Sequence, residues 1–254
     1  MFRVVIPARY ASTRLAAKAL APIAGRPMVQ WVYERARESS AEEVWVATDH
    51  PDIARIVTDF GGRPIMTSAS HLSGTDRIAE VATLLEWSPD DIIVNLQGDE
   101  PMMPPALIDQ VAGLLEKDPN AHISTLCAPI ATLAEFMDPN VVKVCTGSEG
   151  QALYFSRAPI PWPRDLPPGP GAGPGTFGAA RRHIGLYGYR CSALSRLAAL
   201  PPAPLELLEK LEQLRALAAG MRIRVAEACA SAGQDVNTAE DLERLRAALG
   251  NPAA

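Results

Sequence analysis

The chain has 254 residues, of which 48% are hydrophobic, and it carries a formal net charge of −5 at pH 7. An acidic balance disfavours nucleic-acid binding as the main task, and no apolar run approaches the ~20 residues that a membrane span requires. The length suits one α/β domain, and because a strand-like run begins at once, without a charged leader and an apolar signal core, we expect a cytoplasmic protein.

Strand and helix patterns alternate through the first half of the chain, which is typical of a doubly wound, mostly parallel sheet. Short apolar runs predict strands at 2–6, 44–47, 64–66, 91–96 and 122–128. Amphipathic spacing predicts helices at 27–39, 51–60, 76–85 and 104–117. The run at 91–96 is so apolar that we place it in the middle of the sheet.

The second half has a different character, because its strand-like runs follow one another without long helices between them. These runs predict an antiparallel extension of the sheet at 141–145, 152–156 and 184–189. Residues 163–178 are rich in proline and glycine and are predicted to form an irregular surface loop. The remaining elements are predicted as helix, strand and helix at 205–219, 222–226 and 238–249. No linker is evident, so we treat residues 1–250 as one domain.

The first predicted strand ends in a segment rich in cations. This segment contains Arg9, Arg14 and Lys18, and the strand ends of open α/β sheets are where ligands bind. Cations gathered there favour a polyphosphate ligand; the alternative is a solvated basic loop. Neither the P-loop motif nor the glycine motif of dinucleotide-binding proteins occurs, so side chains must carry most of the anchoring.

A second polar segment, NLQGDEP at 95–101, follows the most apolar strand. A carboxylate at the carboxyl end of a central strand is well placed to hold Mg²⁺ against a polyphosphate. Asp99 is the better candidate, because Glu100 precedes Pro101. Gln97 offers an amide for hydrogen bonding, and the alternative interpretation is an ordinary βα turn.

Polar side chains at three further places are candidates for contact with a ligand. Ser73 leads into a helix whose first N–H groups are free to bind a ligand. His183 and Tyr187 share one face of an apolar strand, either as the wall of a sugar site or as core residues. Glu212 interrupts an apolar row of the helix predicted at 205–219, where a carboxylate is costly unless it is paired or bound to a ligand.

In their order along the chain, these segments resemble the family of 3-deoxy-manno-octulosonate cytidylyltransferases. The matching stretches are IPARYASTRL (6–15), VATDH (46–50), SGTDR (73–77), NLQGDEPM (95–102), ALYFSRAPIPW (152–162), HIGLYGYR (183–190), LEQLR (211–215) and AEDLER (239–244). The resemblance implies a sugar-nucleotide-transferase fold of the Rossmann-like type, Mg²⁺ dependence and a homodimer that forms through about residues 140–190. It also implies CMP transfer from CTP to the anomeric hydroxyl of 3-deoxy-D-manno-octulosonate (Kdo), with release of pyrophosphate, for lipopolysaccharide biosynthesis.

The resemblance further implies a role for each candidate residue. The residues around CTP would be Ala8, Arg9, Arg14, Lys18, Ser73 and Gln97. The catalytic residues would be Lys18, Asp99 and Arg14. The acid sugar would be bound by Gln97, Arg157, His183, Tyr187, Glu212 and Gln213. The metal ligands would be Asp99 and Asn237.

Two departures from the family pattern bear on the mechanism. Family members usually read LPGKPL where this chain reads LAAKAL at 15–20, and the lost glycine costs ~1–2 kcal/mol if the loop needs a positive φ. Asn237 replaces the usual aspartate and brings no charge, so we expect weaker Mg²⁺ binding; Asp235 could substitute only if the backbone shifts. These departures keep open a CTP-binding paralogue without turnover. The other alternative is a cytidylyltransferase for a related acid sugar, such as 8-amino-Kdo or a sialic-type acid.

Overall fold

The structure, a computed structural model, describes residues 1–10, 17–71, 73–164, 177–233, 235–236 and 238–250. Its strands are β1 (Phe2–Ala8), β2 (Pro22–Ile23), β3 (Arg26–Pro27), β4 (Glu43–Thr48), β5 (Pro64–Met66), β6 (Ile92–Asn95), β7 (Ile123–Pro129), β8 (Lys143–Thr146), β9 (Ala152–Ser156), β10 (Arg181–Arg190) and β11 (Ile223–Glu227). Its helices are α1 (Met28–Arg37), α2 (Pro51–Asp59), α3 (Gly74–Leu84), α4 (Pro105–Lys117), α5 (Leu133–Met137), α6 (Cys191–Ala199), α7 (Pro204–Glu209), α8 (Gln213–Ala218) and α9 (Ala239–Gly250), with a 3-10 helix at Lys18–Leu20.

A nine-stranded sheet forms the centre of the described residues, and its main path runs β11-β7-β10-β6-β1-β4-β5. Strand β1 pairs in parallel with β4 and β6, β4 pairs in parallel with β5, and β11 pairs in parallel with β7. Strand β10 is antiparallel to β6 and β7, and β8 and β9 add an antiparallel pair beside it. The predicted mostly parallel sheet with an antiparallel extension is therefore confirmed.

Strand β10 lies inside the sheet, between β6 and β7, whereas the sequence pattern suggested only an extension. Gly188 explains how it fits there. A β-carbon on Gly188 would lie 2.5 Å from the Ser124 hydroxyl of β7 and 3.2 Å from the Val111 carbonyl oxygen of α4. Glycine thus permits the close approach of β10 to its neighbours. The predicted central position of the 91–96 run is confirmed, since β6 lies between β1 and β10 and all of its residues are buried.

The sheet is covered by helices on both faces, as expected for a doubly wound fold. Alternate residues of β1 supply both sides: Val4 and Ile6 pack with α1, α2 and α4, and Val5 packs with α3, α6 and α8. These layers hold β1 and β6 at the centre of the sheet, where their carboxyl ends lie side by side. Among the described residues, no helix is both long enough and apolar enough to cross a membrane.

The single helix predicted at 205–219 is wrong, because the chain forms α7 and α8 with a break between them. Lys210 ends α7 with a φ of 54°, in the left-handed region. The break turns Leu211 into the core at 6% exposure, while Leu207, one helical turn earlier, stays 54% exposed. The helical spacing of these leucines therefore does not form one continuous apolar stripe.

Other differences concern short elements and the proline- and glycine-rich segment. The sequence pattern did not predict the β2–β3 hairpin, α5 or α6. The predicted loop at 163–178 lies largely outside the described residues, which omit 165–176. At its end Phe177 is buried and its ring lies 5.0 Å from that of Phe136.

The predicted cap of the last helix is confirmed, since Asp241 N donates to the Thr238 hydroxyl and Thr238 N donates to the Asp241 carboxylate.

Candidate active site

The carboxyl ends of β1 and β6 meet the first turn of α3 at one edge of the sheet. The loop after β6 passes very close to β1, because a β-carbon on Gly98 would lie only 2.9 Å from the Pro7 carbonyl oxygen. A β-carbon on Gly74, at the start of α3, would lie 3.3 Å from the Pro7 ring and 3.8 Å from Gln97 Oε1. Ser73 caps α3 by accepting a hydrogen bond from Asp76 N at 3.1 Å. The predicted nucleotide residues Ala8, Arg9, Ser73 and Gln97 therefore lie along this edge.

Lys18 and Asp99 form an ion pair at this edge. Lys18 Nζ lies 2.6 Å from Asp99 Oδ2, and the two side chains are 14% and 31% exposed. Lys18 opens the 3-10 helix directly after Ala17, which has a φ of 50° in the left-handed region. The structure thus places an alanine where a glycine would be unstrained, as the departure from the family pattern suggested. Arg14 lies outside the described residues.

The carboxyl groups of Glu100 and Asp235 lie close to that of Asp99. Glu100 is 6% exposed and accepts a hydrogen bond from Gln97 N at 3.3 Å. Burial, with the nearby Asp235 and Asp99, raises the pKa of Glu100 well above its usual range, which favours the uncharged form of this side chain. Val236 N donates to the Asp99 carbonyl at 2.9 Å, which holds residues 235–236 against Asp99.

The carboxylate of Asp99 is suited to hold Mg²⁺ together with phosphate oxygens. Mg²⁺ is usually bound through one or two carboxylates plus substrate phosphates, rather than by an all-protein cage. Within the described residues, no group of three histidine, cysteine, aspartate or glutamate side chains is placed to hold a metal ion. The second predicted ligand, Asn237, lies outside the described residues.

A pocket of about 100 Å³ opens next to this edge. Four of the predicted sugar-binding residues line it, namely Gln97, Tyr187, Glu212 and Gln213. The sequence reasoning did not select three polar residues that also line it, namely Thr75, Asn95 and Tyr189. Two signals could have found Asn95 and Tyr189: Asn95 is polar within an otherwise apolar strand, and Tyr189 lies two residues beyond Tyr187, on the same face of β10.

Glu212 and Tyr187 give the pocket an acceptor and a donor. The Thr75 hydroxyl donates to Glu212 Oε2, and Arg215 forms an ion pair with Glu212 at 3.7 Å. Tyr187 has a buried hydroxyl without a hydrogen-bond partner among the described residues. Burial, with Tyr189 and the Glu212 carboxylate nearby, raises the pKa of Tyr187, so its hydroxyl stays protonated. A buried hydroxyl without a partner points to a ligand atom that would complete its bonding.

The structure does not bring His183 and Arg157 into this pocket. His183 Nε2 lies 3.0 Å from the Thr125 hydroxyl, and its ring packs edge-on against Phe155. Burial lowers the pKa of His183 to about 3, so it is neutral at pH 7 and offers no positive charge to a carboxylate. Arg157 donates from Nε to the Glu209 carbonyl at 2.6 Å and from Nη1 to the Pro139 carbonyl at 2.9 Å.

Comparison with known proteins gives a consistent result. Residues 3–223 match the model of the cytidylyltransferase family. The 3-deoxy-manno-octulosonate cytidylyltransferase of Cellvibrio japonicus is 54% identical over 250 residues, and that of Thioalkalivibrio sulfidiphilus is 52% identical over 248 residues; each alignment covers 98% of both chains. A solved CMP:2-keto-3-deoxy-manno-octonic acid synthetase complexed with CTP is 43% identical with a TM-score of 0.88, covering 98% of this chain and 99% of that one.

Proposed function

This chain belongs to the cytidylyltransferase family and, within it, to the group of 3-deoxy-manno-octulosonate cytidylyltransferases. We propose that it transfers CMP from CTP to Kdo at the sheet edge and pocket described above. The observation that carries this assignment is the position of Gln97. Gln97 belongs to the loop that bears Asp99 and also lines the pocket with Tyr187 and Glu212. A nucleotide at the edge and a sugar in the pocket would therefore be neighbours.

The reaction joins the anomeric hydroxyl of Kdo to the α-phosphorus of CTP, and pyrophosphate leaves. Catalysis of this kind depends on positioning and on stabilising the charge that builds on the phosphoryl oxygens. Arg9, Arg14 and Lys18 hold the triphosphate, and the Ala8 backbone, Ser73 and Gln97 surround the nucleotide. Mg²⁺, when bound, supplies further positive charge to the phosphate oxygens, and Asp99 would hold it.

The pocket orients the sugar for this attack. Tyr187 donates a hydrogen bond and Glu212 accepts one, which suits the hydroxyl groups of an acid sugar. Gln97 and Gln213 contribute amides that can both donate and accept. Thr75 and Arg215 hold Glu212 in place, so that the carboxylate is presented in a fixed direction.

The enzyme functions as a homodimer that forms around β9 and α7. Large apolar side chains lie exposed on these two elements and on the segment after β9, namely Leu153, Trp162, Leu205, Leu207 and Leu208, between 43% and 81% exposed. The two elements are joined by a hydrogen bond of 2.6 Å from the Ser156 hydroxyl to the Glu209 carboxylate. An exposed surface of this kind is typical of a protein–protein interface.

Light scattering tests the proposed homodimer directly, because it measures the mass of the protein in solution. A dimer is expected for the wild type and a monomer for Leu208→Asp, because a charge placed in an apolar interface loses its hydration without gaining a partner. A dimeric Leu208→Asp variant would move the interface elsewhere. We place the enzyme in the cytoplasm, where its substrate CTP is made and used.

Pyrophosphate release tests the function itself. Each of the four nucleoside triphosphates is combined with Kdo, 8-amino-Kdo and a sialic-type acid, with and without Mg²⁺. Release is expected to be fastest with CTP, Kdo and Mg²⁺, and to fall in Asp99→Asn and Glu212→Gln. Faster release with another acid sugar would change the assigned substrate, and CTP binding without release in any combination would support the paralogue without turnover.

A further inference from the structure

Asp49 joins the start of the cation segment to the helix at the nucleotide site. This residue follows β4 and is only 13% exposed. Its Oδ1 accepts a hydrogen bond from Tyr10 N at 3.1 Å, and its Oδ2 pairs with Arg77 Nη2 of α3 at 2.9 Å. Arg77 is 3% exposed and also donates to the Thr67 hydroxyl at 2.6 Å. A buried guanidinium with two partners therefore fixes the carboxylate that holds Tyr10.

The Tyr10 ring is fixed by a second contact. It stacks on the His50 ring, with ring centroids 3.8 Å apart and an angle of 15° between the planes. His50 is itself held, because its Nδ1 caps α2 by accepting a hydrogen bond from Asp52 N at 3.2 Å. Tyr10 therefore has a fixed backbone amide and a fixed ring, although it is 39% exposed.

The backbone on both sides of Tyr10 links these contacts to the cations Arg9 and Lys18. Arg9 precedes Tyr10 directly. The Tyr10 carbonyl accepts a hydrogen bond from Ala17 N at 3.2 Å, and Ala17 precedes Lys18. The residues that flank 11–16 thus meet at Tyr10, and Tyr10 is bound to Asp49.

We propose that Asp49 is a positioning residue for the triphosphate site. It fixes Tyr10, and with Tyr10 it sets where Arg9 and Lys18 are presented to the phosphates of CTP; the Tyr10–His50 stack supports the same arrangement. A misplacement of about 1 Å at a reacting centre can lower a rate by ~100-fold. A Tyr10 that is no longer held in place is therefore expected to affect mainly the binding of CTP, and not that of Kdo. The inference rests on the proposed function, because it takes Arg9 and Lys18 as phosphate ligands.

Two variants of Asp49 separate positioning from general stability. Asp49→Asn keeps one acceptor oxygen, for which Tyr10 N and the Arg77 guanidinium compete, whereas Asp49→Ala removes both oxygens. Both variants leave Arg77 without its ion-pair partner, which is destabilising. We expect Asp49→Ala to raise the Kd for CTP about tenfold and Asp49→Asn to raise it by no more than that. The KM for Kdo is expected to change less than about twofold in both. Calorimetry gives the Kd at a temperature where circular dichroism shows each variant folded.

His50→Ala keeps the proposal testable if Asp49→Ala does not fold. It removes the ring under Tyr10 but leaves the buried ion pair, and it is expected to raise the Kd for CTP about threefold. Asp59→Ala is the matched control, because Asp59 lies on α2 in an ion pair with Arg55 that is exposed on both sides, and its Kd for CTP is expected to equal the wild-type value.

The proposal is overturned if folded His50→Ala and the folded Asp49 variants bind CTP like the wild type. It is also overturned if the folded Asp49 variants raise the KM for Kdo as much as the Kd for CTP, since the loss would then not be specific to the triphosphate site. A wild-type protein that neither binds CTP nor releases pyrophosphate refutes the proposed function instead, so the two failures are distinguishable.

Discussion

Replacing Ala17 with glycine is expected to stabilise the folded protein by about 0.8 kcal/mol. Ala17 has φ 50° and ψ 34°, and a residue with a β-carbon in this left-handed region costs roughly 1–2 kcal/mol relative to glycine. Glycine also gives the unfolded chain more freedom, which offsets roughly 0.4–1 kcal/mol of that gain. The midpoints of these two ranges differ by about 0.8 kcal/mol, equivalent to a rise of roughly 2–3 °C in Tm for a chain of this size.

Ala24 offers a matched control for the same physical effect. It lies in the turn between β2 and β3 with a φ of 46°, and it is exposed. Ala24→Gly is expected to give a similar gain in the free energy of unfolding without touching the segment that carries Lys18. Urea denaturation measures both, and the slope m is expected to stay constant, so that the midpoint reports stability directly.

The outcomes of this pair are distinct. If Ala17→Gly destabilises while Ala24→Gly stabilises, residue 17 does not occupy the left-handed region in solution. If both variants destabilise the protein, the conformational freedom that glycine gives the unfolded chain outweighs the strain of alanine at positive φ, and the expected gain of about 0.8 kcal/mol is wrong.

Three further predictions follow from the ion pair, the pocket and the buried histidine. Lys18→Met is expected to bind Mn²⁺ more tightly than the wild type in the absence of CTP, because Asp99 loses the competing ammonium at 2.6 Å. Electron paramagnetic resonance measures the free Mn²⁺, and binding as weak as in the wild type would contradict the prediction. Tyr187→Phe is expected to leave Tm unchanged or slightly higher, because it removes a buried hydroxyl without a partner. The same change is expected to weaken Kdo binding about 2- to 10-fold, the value of one hydrogen bond, and an unchanged KM for Kdo would show that Tyr187 does not bind the sugar. Burial lowers the pKa of His183 to about 3 in the folded protein, from about 6.5 in the unfolded chain. The free energy of unfolding therefore falls progressively as the pH drops from 6.5 towards 3. His183→Gln is therefore expected to lose about 1–2 kcal/mol less than the wild type between pH 7 and pH 5 in urea titrations, and parallel losses would show that His183 titrates normally.

The sequence predicted the frame of the fold because the frame depends on apolar periodicity. Strands at 64–66 and 152–156 have the predicted bounds, and β6 is central as its apolar character indicated. These elements are set by burial, which local sequence reports well. The break at Lys210 was not predictable in this way, since lysine has no preference for positive φ and the flanking leucines keep helical spacing.

The sequence located the candidate site only in part, because residue types do not specify partners. Gln97, Tyr187, Glu212 and Gln213 meet in one pocket although they lie far apart along the chain. Arg157 is instead occupied by two backbone carbonyls, and His183 by Thr125. Such choices depend on tertiary contacts between β9, α7 and β7, about which the motifs that contain Arg157 and His183 carry no information.

The place of β10 between β6 and β7 has a consequence for how the chain assembles during synthesis. Strands β6 and β7 follow each other in sequence but do not pair, because β10 separates them. Until residues 181–190 leave the ribosome, both strands expose an unpaired edge, and open edges are prone to pair with other chains. Closure of the sheet also joins segments far apart in sequence, which is slow. Tyr187 and Tyr189 lie on this strand, so the step that fills the gap between β6 and β7 also places two of the side chains that line the pocket beside Gln97.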